Sequence, residues 1–183
     1  MTRHDRIALR TVAILVAACV GTMLAQVALC APLRTPAAVV DCSRMVTAYD
    51  HRAADTPTAV RVCVDAELSA RKHGAPKGLG VAVASVESHF DPAAISYAGA
   101  FGPLQVLPRY HSPRIGLGWA NPYRHAVERG GWYLARLVRR YGVTDGVASY
   151  NCGPSRWRTQ RVESCERYAR KVGRRFALLR GRG

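Results

Sequence analysis

The sequence predicts a mainly α-helical, single-domain protein, and three observations lead to that class. The chain has 183 residues, the length of one domain with a proper core. Hydrophobic residues make up 49% of it and charged residues 21%, a composition typical of a folded domain rather than a disordered chain. Apolar residues recur at intervals of three and four over long stretches, whereas the alternation typical of strands is scarce. Helices should therefore build the core.

The first thirty residues predict export. Residues 1–10 are basic, and the run from Thr11 to Pro32 carries no charge, a pattern typical of a signal peptide. The run is also just long enough to span a bilayer, although polar residues within it make it a weak membrane helix, so we favour cleavage. The expected division is a signal peptide or N-terminal membrane anchor over 1–30, a linker over 31–41 and one domain over 42–183.

Four cysteines remain after the leader, and an even number favours disulfides in an oxidising compartment. They form no C-x-x-C pair and have no histidine at zinc-ligand spacing, so neither a metal nor a cofactor is expected. Four cysteines allow three pairings, of which we favour the two local ones, Cys42–Cys63 and Cys152–Cys165. Together with the leader, they indicate the periplasm or cell envelope.

The first two helices of the domain follow from start and stop signals. Thr56-Pro57 predicts an N-cap with proline at the first helical position, and Gly74 predicts the end of that helix. An apolar stripe from Leu79 to Phe90 predicts the next helix, which the pair Asp91-Pro92 would end. The first helix should therefore span about five turns and the second about three.

Two further helices are expected in the carboxyl-terminal half. Apolar residues at intervals of three and four run from Ala126 to Tyr141, and Gly142 should close that helix. Ser164 is a candidate cap for a last helix with an apolar side from Tyr168 to Leu179. The only strand candidate is the short segment GPLQVLP, residues 102–108. The sequence thus gives no basis for a sheet of any size.

Glu87 is the first candidate for catalysis. It lies in GVAVASVESHFDPAAIS, Gly80 to Ser96, four residues after Val83 and three before Phe90, so it borders the apolar stripe. Apolar surroundings raise the pKa of a carboxyl group, which is what a general acid at neutral pH requires. Taken alone, the position fits a structural or solvated glutamate better, and the rest of the chain must decide.

Three segments together resemble the signature of the soluble lytic transglycosylase family. The first, ASVESHFDPAAISYAGAFGPLQVLP, contains an E-S pair, an aromatic residue, D-P and then S-x-x-G-A-x-G-x-x-Q-x-x-P. The second, HAVERGGWYLARLVRRYG, is similar to the family's helix with its G-x-x-Y-L core. The third, ASYNCGPSR, is similar to the Y-N-A-G-P segment. Their order and spacing are intact from Leu79 to Val172.

The resemblance implies a lysozyme-like fold, as in goose-type lysozymes and lytic transglycosylases, acting on the glycan strands of peptidoglycan. Glu87 matches the single catalytic acid/base. Ser96 and Gln105 match residues that line the cleft, and Tyr150, followed by Asn151, matches the tyrosine that faces it. Family enzymes cleave the MurNAc–GlcNAc bond without water and leave a 1,6-anhydro-MurNAc end, so this reaction is expected here.

The acidic residues suit a site with one carboxylate. Ordinary glycosidases use two, yet no acidic residue occurs between Asp91 and Glu128. Asp91 occupies the family's Asn/Asp-Pro position, where a helix-ending role is favoured. Near the carboxyl terminus the family's E-T-R-x-Y-V aligns with residues 164–169, which lack the glutamate, so the roles of Glu163 and Glu166 stay open.

Three functions remain in view. Wall remodelling, or opening the wall for a secretion or conjugation machine, is the first; a phage endolysin or muramidase that hydrolyses the same bond is the second. The net charge of +15 also allows a non-catalytic basic protein that binds glycan or nucleic acid. Nucleic acid is disfavoured because the leader directs the chain out of the cytosol. A monomer that contacts the membrane transiently through its leader is expected, and Trp157 is the best candidate for stacking on a sugar.

Overall fold

The computed structural model describes residues 36–49, 56–112, 114, 118 and 120–180. The leader and Trp119 lie outside these ranges, so what is predicted for them stays a prediction. None of the described helices is both long and apolar enough to cross a membrane. The described helices are α1 Pro36–Tyr49, α2 Thr56–Lys72, α3 Leu79–Glu87, α4 Pro108–His111, α5 Pro122–Cys152, α6 Pro154–Gln160 and α7 Glu163–Arg180. The mainly α-helical class is confirmed.

Glycine ends two of the predicted helices as expected. After α2, Gly74 has a φ of 95° and its N–H bonds the carbonyl of Arg71 at 2.9 Å. Inside α5, Gly142 has a φ of 80° and a ψ of 171°, so the helix breaks there. Side chains are disfavoured at such angles and glycine is not. The strand candidate 102–108 contributes only an isolated bridge, between Phe101 and Val106.

Two helix boundaries differ from the prediction. The stripe to Phe90 predicted that α3 would continue, but α3 ends at Glu87, because His89 and Phe90 adopt left-handed φ angles of 53° and 65°. Phe90 is nevertheless 1% exposed, so its apolar side chain joins the core from a turn rather than from a helix. At the other end of the chain α7 begins at Glu163, one residue before the predicted cap.

The core forms where α2, α3 and α5 meet. A Cβ atom on Gly80 of α3 would lie 2.7 Å from the carbonyl oxygen of Ala66, and one on Gly131 of α5 would lie 2.2 Å from Oγ of Ser69. Both distances are shorter than real side-chain contacts. Glycine therefore lets α3 and α5 approach the backbone of α2 closely, and this approach fixes where α3 ends in space.

A buried carboxylate holds the first turn of α3. Gly78 precedes the helix and offers no capping side chain. Glu67 of α2 takes that role, since its carboxylate accepts the N–H of Gly78 at 2.7 Å and that of Val81 at 3.4 Å. Burial raises the pKa of Glu67, and these two hydrogen bonds oppose the rise. Free N–H groups at a helix start need such an acceptor.

Both local cysteine pairings are confirmed. Cys42–Cys63 joins α1 to α2, and Cys152–Cys165 joins the end of α5 to the first turn of α7. The proposal that Trp157 stacks on a sugar is wrong. Its side chain is 4% exposed and packs with the second bridge in a small cluster, and its Nε1 donates to Asp145 at 3.3 Å. An aromatic residue in a basic turn looks exposed in sequence, but here α7 covers it.

Candidate active site

Glu87 is the last residue of α3, and its carboxyl group lies at the edge of the core. Seven of the nine residues of α3 are buried, whereas Glu87 is partly exposed. The hydroxyl of Tyr168, on α7, donates a hydrogen bond to Oε1 of Glu87 at 2.6 Å. Glu87 therefore has one side fixed by the protein and another open to solvent, as a group that exchanges protons with a ligand requires.

The surroundings raise the pKa of Glu87 to about 7. Burial is the largest cause, because a charged carboxylate loses hydration there. The hydrogen bond from Tyr168 and the positive charge of Lys171 favour the ionised form and oppose this rise. At neutral pH a large fraction of Glu87 is thus protonated and able to donate a proton, while its ionised form is also accessible.

Two partly buried tyrosines lie near Glu87. Tyr150 donates its hydroxyl proton to the carbonyl oxygen of Leu104 at 2.6 Å. Burial, and then the charge of Glu87, raise the pKa values of Tyr150 and Tyr168 well above the usual value. Both hydroxyls are therefore neutral donors. The sequence predicted Tyr150 at the site, whereas Tyr168 was assigned only to the apolar side of α7.

Ser96 and Gln105 hold the loop that follows α3. The Nε2 group of Gln105 donates to the carbonyls of Ala94 at 3.1 Å and Gly102 at 2.9 Å. Oγ of Ser96 accepts the N–H of Ala100 at 3.0 Å. Gln105 sits at a φ of 46°, so these bonds stabilise a backbone conformation that side chains rarely adopt. Their contacts with a substrate stay a prediction.

The loop is tied to Glu87 at two points. Ser88, the next residue, donates through Oγ to the carbonyl of Pro103 at 3.0 Å, and Tyr150 binds the carbonyl of Leu104. The structure thus brings Glu87, Tyr150 and the Gln105 segment together. Asn151 follows Tyr150 in the last turn of α5 and is exposed. Its predicted role in substrate binding stays a prediction.

Every other described carboxylate is bonded elsewhere. Of the twelve acidic residues, Asp5, Asp50 and Asp55 lie outside the described ranges, and eight remain besides Glu87. Their partners are Lys77 for Asp41, Tyr123 for Asp65, backbone N–H groups for Glu67 and Asp91, Lys72 and His73 for Glu128, Arg161 for Asp145, Arg167 for Glu163 and Arg170 for Glu166. Glu163 and Glu166 each pair with an arginine one turn further along α7, and whether either replaces the missing glutamate stays open. Within the described residues no second carboxylate is bonded to Glu87, and no group of three His, Cys, Asp or Glu residues there could hold a metal ion.

Comparison with known proteins agrees with this geometry. The sequence profile of the transglycosylase SLT domain matches residues 66–172, a range that contains Glu87 and all the other predicted site residues. The chain therefore belongs to the transglycosylase SLT domain family.

The fold resembles that of a lytic transglycosylase, Slt from Pseudomonas aeruginosa, whose X-ray structure is of an inactive glutamate-to-glutamine mutant. The two are 19% identical with a TM-score of 0.51, over 75% of this chain and 27% of that one. This chain thus spans about a quarter of the length of Slt. The likeness confirms the lysozyme-like fold.

Proposed function

We propose that the protein is a peptidoglycan lytic transglycosylase that cleaves the MurNAc–GlcNAc bond and leaves 1,6-anhydro-MurNAc ends. The observation that carries the proposal is the position of Glu87 at the end of a buried helix, with Oε1 held by Tyr168 at 2.6 Å, in a site where every other described carboxylate is bonded elsewhere. Burial there raises its pKa to about 7. A lone carboxyl group that is protonated at neutral pH suits a reaction in which one residue serves first as acid and then as base.

The reaction needs two proton transfers. Protonated Glu87 gives its proton to the glycosidic oxygen while the bond from C1 of MurNAc to that oxygen breaks. The substrate's own acetamido group stabilises the positive charge at C1. Ionised Glu87 then takes the proton of the C6 hydroxyl, whose oxygen bonds C1 and closes the anhydro ring. Glu87 ends protonated as it began, and no water is consumed.

Tyr168 and Tyr150 support these steps in different ways. The hydrogen bond from Tyr168 keeps Oε1 of Glu87 in place and stabilises the carboxylate formed after the first transfer. Tyr150 fixes the loop segment opposite Glu87 through the carbonyl of Leu104. Together they hold the carboxyl group and the cleft wall at a constant separation, which lowers the entropic cost of reaching the transition state.

Hydrolysis of the same bond is the second candidate. An inverting muramidase would need a further carboxylate to activate water, and a retaining one would need a nucleophile close to the acid. The other eight described carboxylates are bonded to other groups, which favours the reaction without water because hydrolysis would need one of them at the site. A non-catalytic basic binding protein is the third candidate, and it leaves the raised pKa of Glu87 without a purpose.

The biological setting is also part of the proposal. The disulfides fit an oxidising compartment, and the basic leader fits export to the periplasm or cell envelope. There the enzyme would remodel the wall or open it for a secretion or conjugation machine.

Mass spectrometry of digested peptidoglycan tests the chemistry. Purified sacculi are treated with residues 31–183, with the same protein carrying Glu87→Gln, and with Glu166→Gln as the control, since Glu166 pairs with Arg170 on the surface. We expect products one water lighter than hydrolysis products, a loss of about hundredfold or more with Glu87→Gln and no loss with the control. Ordinary reducing ends would mean a muramidase, and intact polymer with all three proteins would favour a binding protein.

A further inference from the structure

A cavity of about 550 Å³ is lined by residues of α4, α5 and α6. One part of its wall is aromatic, with Tyr110, His111, Trp132 and Tyr133. Another part is basic, with Arg136, Arg140 and Arg158, and we name the space the arginine cavity. Among the described residues, none that lines it is acidic. The wall thus combines flat apolar surfaces with positive charge, which suits a ligand that has both apolar and anionic parts.

The arginine cavity adjoins the site around Glu87 through Tyr133, which lines the cavity and contacts Tyr150. The ring centroid of His111 lies 4.6 Å from that of Tyr133, and the centroid of Tyr133 lies 5.5 Å from that of Tyr150. Tyr150 in turn is one of the two tyrosines beside Glu87. Aromatic contacts therefore connect the wall of the cavity with a tyrosine of the site, so the cavity lies next to the place where the glycan chain is proposed to bind.

The three arginines of the cavity have their charges available. Elsewhere on the surface, Arg161, Arg167 and Arg170 each pair with a carboxylate. In the described part of the chain no carboxylate lies within 4 Å of any cavity arginine. Arg136 and Arg140 instead lie over the rings of Trp132 and Tyr141, at 5.4 and 5.5 Å from the centroids. All three are exposed.

We propose that the arginine cavity binds carboxylates of the stem peptide on a peptidoglycan strand whose glycan chain lies at Glu87, so that the protein selects strands that carry peptides. The inference rests on the proposed function, because that function supplies the substrate. A guanidinium group binds a carboxylate through two parallel hydrogen bonds. Stem peptides hang from MurNAc, the sugar that reacts at Glu87, and they end in carboxylates. Bare glycan offers the cavity only neutral sugar.

Binding, measured without turnover, tests this selection. In Glu87→Gln protein, calorimetry compares a disaccharide-peptide fragment with free carboxylates, the same fragment with its carboxylates amidated, and the peptide-free disaccharide. The triple variant Arg136→Gln/Arg140→Gln/Arg158→Gln is set beside a control, Arg44→Gln/Arg174→Gln/Arg180→Gln, which removes the same charge from exposed positions outside the cavity. Thermal melting of both triples verifies that they fold.

We expect the free-carboxylate fragment to bind about tenfold more tightly than the amidated one. The cavity triple should lose this ratio, and the control triple should keep it. Equal affinities for the two fragments, or an equal loss in both triples, would overturn the inference, since the attraction would then be a general effect of net charge.

Digestion of two polymers separates this inference from the proposed function. In proteins with Glu87 intact, the cavity triple should cut peptide-free glycan strands at the wild-type rate and cut peptide-bearing sacculi several times more slowly. If no protein cuts either polymer but the binding ratio is present, the proposed function fails and the inference stands. If cleavage is normal and the ratio is absent, the inference alone fails.

Discussion

One hydrogen bond opposes the effect of burial on the pKa of Glu87, the proposed acid. Burial raises the pKa of Glu87 and the bond from Tyr168 lowers it, so the value of about 7 is a balance between them. The apolar stripe around Glu87 made the raised pKa predictable from sequence. The Tyr168 contact was not predictable, because it joins residues 81 positions apart and depends on how α7 packs against α3. The only trace in the sequence is that Tyr168 aligns with the tyrosine of E-T-R-x-Y-V.

Tyr168→Phe should shift the pH profile of cleavage. The substitution removes an interaction that favours ionised Glu87, so the pKa of Glu87 rises further. An acid works while it is protonated, and activity falls as pH rises through its pKa. The falling limb of kcat/KM should therefore move to higher pH than in the wild type, while kcat drops about tenfold because the carboxyl group is held less firmly.

Tyr49→Phe provides the control, since Tyr49 lies on α1 and packs under Arg175 rather than at the site. If the falling limb of kcat/KM stayed in place or moved to lower pH in Tyr168→Phe, the result would contradict the role proposed for Tyr168 in lowering the pKa of Glu87.

At the level of helices, local sequence signals predicted where α2 ends and where α5 breaks, whereas tertiary packing determines where α3 ends. Gly74 follows the last turn of α2 and Gly142 breaks α5, and both positions were predicted because each glycine comes directly after an apolar helical stripe. The end of α3 is different, because the apolar stripe continues to Phe90 while the backbone turns at His89. Ser88 bonds the loop at Pro103 there, and this contact across 15 positions leaves no pattern in the sequence.

Close packing between α2 and α5 makes Gly131 sensitive to a single methyl group. A Cβ atom there would lie 2.2 Å from Oγ of Ser69 and 2.7 Å from the backbone N of Ala70. We expect Gly131→Ala to lower the free energy of unfolding by about 2 kcal/mol, the usual cost of overpacking. Urea unfolding followed by circular dichroism measures the change.

Gly173→Ala is the matched control for that experiment. Gly173 lies in α7, is exposed, and a Cβ atom there meets nothing within 4 Å. Its replacement should stabilise the protein by about 0.5–1 kcal/mol, because alanine is the better helix former. If Gly131→Ala and Gly173→Ala changed the free energy of unfolding in the same direction, the contact between α2 and α5 would be looser than described.

At the scale of the whole molecule the sequence predicted the fold class, which is confirmed, while the exported compartment and the role of Glu87 stay predictions, and it misjudged which side chains face solvent. Charge counting predicted a polyanionic partner, but not that the carboxylates would pair with arginines elsewhere and leave Arg136, Arg140 and Arg158 free of them. The sequence also suggested that the side chain of Trp157 is exposed to a sugar, but it is buried. Which side chains pair or become buried depends on how distant helices meet, and no local pattern records that.

The two disulfides should differ in their effect on activity. Each closes a loop, of 21 and 13 residues in sequence separation, and removal of either should cost about 3 kcal/mol of stability. Cys152→Ser/Cys165→Ser also releases the chain after Tyr150 and the start of the helix that carries Tyr168. The lysis of sacculi by this variant should therefore be slower than by the wild type, measured at a temperature below the variant's own unfolding transition.

Cys42→Ser/Cys63→Ser is the comparison, because this bridge joins α1 to α2 and touches neither tyrosine. It should lose similar stability and retain the wild-type lysis rate. Equal activity in the two double variants would show that the Cys152–Cys165 bridge has no part in shaping the cleft.

The burial of α3 has a consequence for how such an enzyme can diversify. Seven of its nine residues are buried, Gly80 admits no side chain, and the last residue is the proposed acid. Almost any amino-acid substitution in α3 would disturb either the packing of the core or the proposed reaction. Substitutions that change the preference for one substrate over another are then expected on the exposed turns of α5 and α6, where substitution is tolerated. A protein engineer seeking altered selectivity would diversify those turns and leave the nine-residue helix untouched.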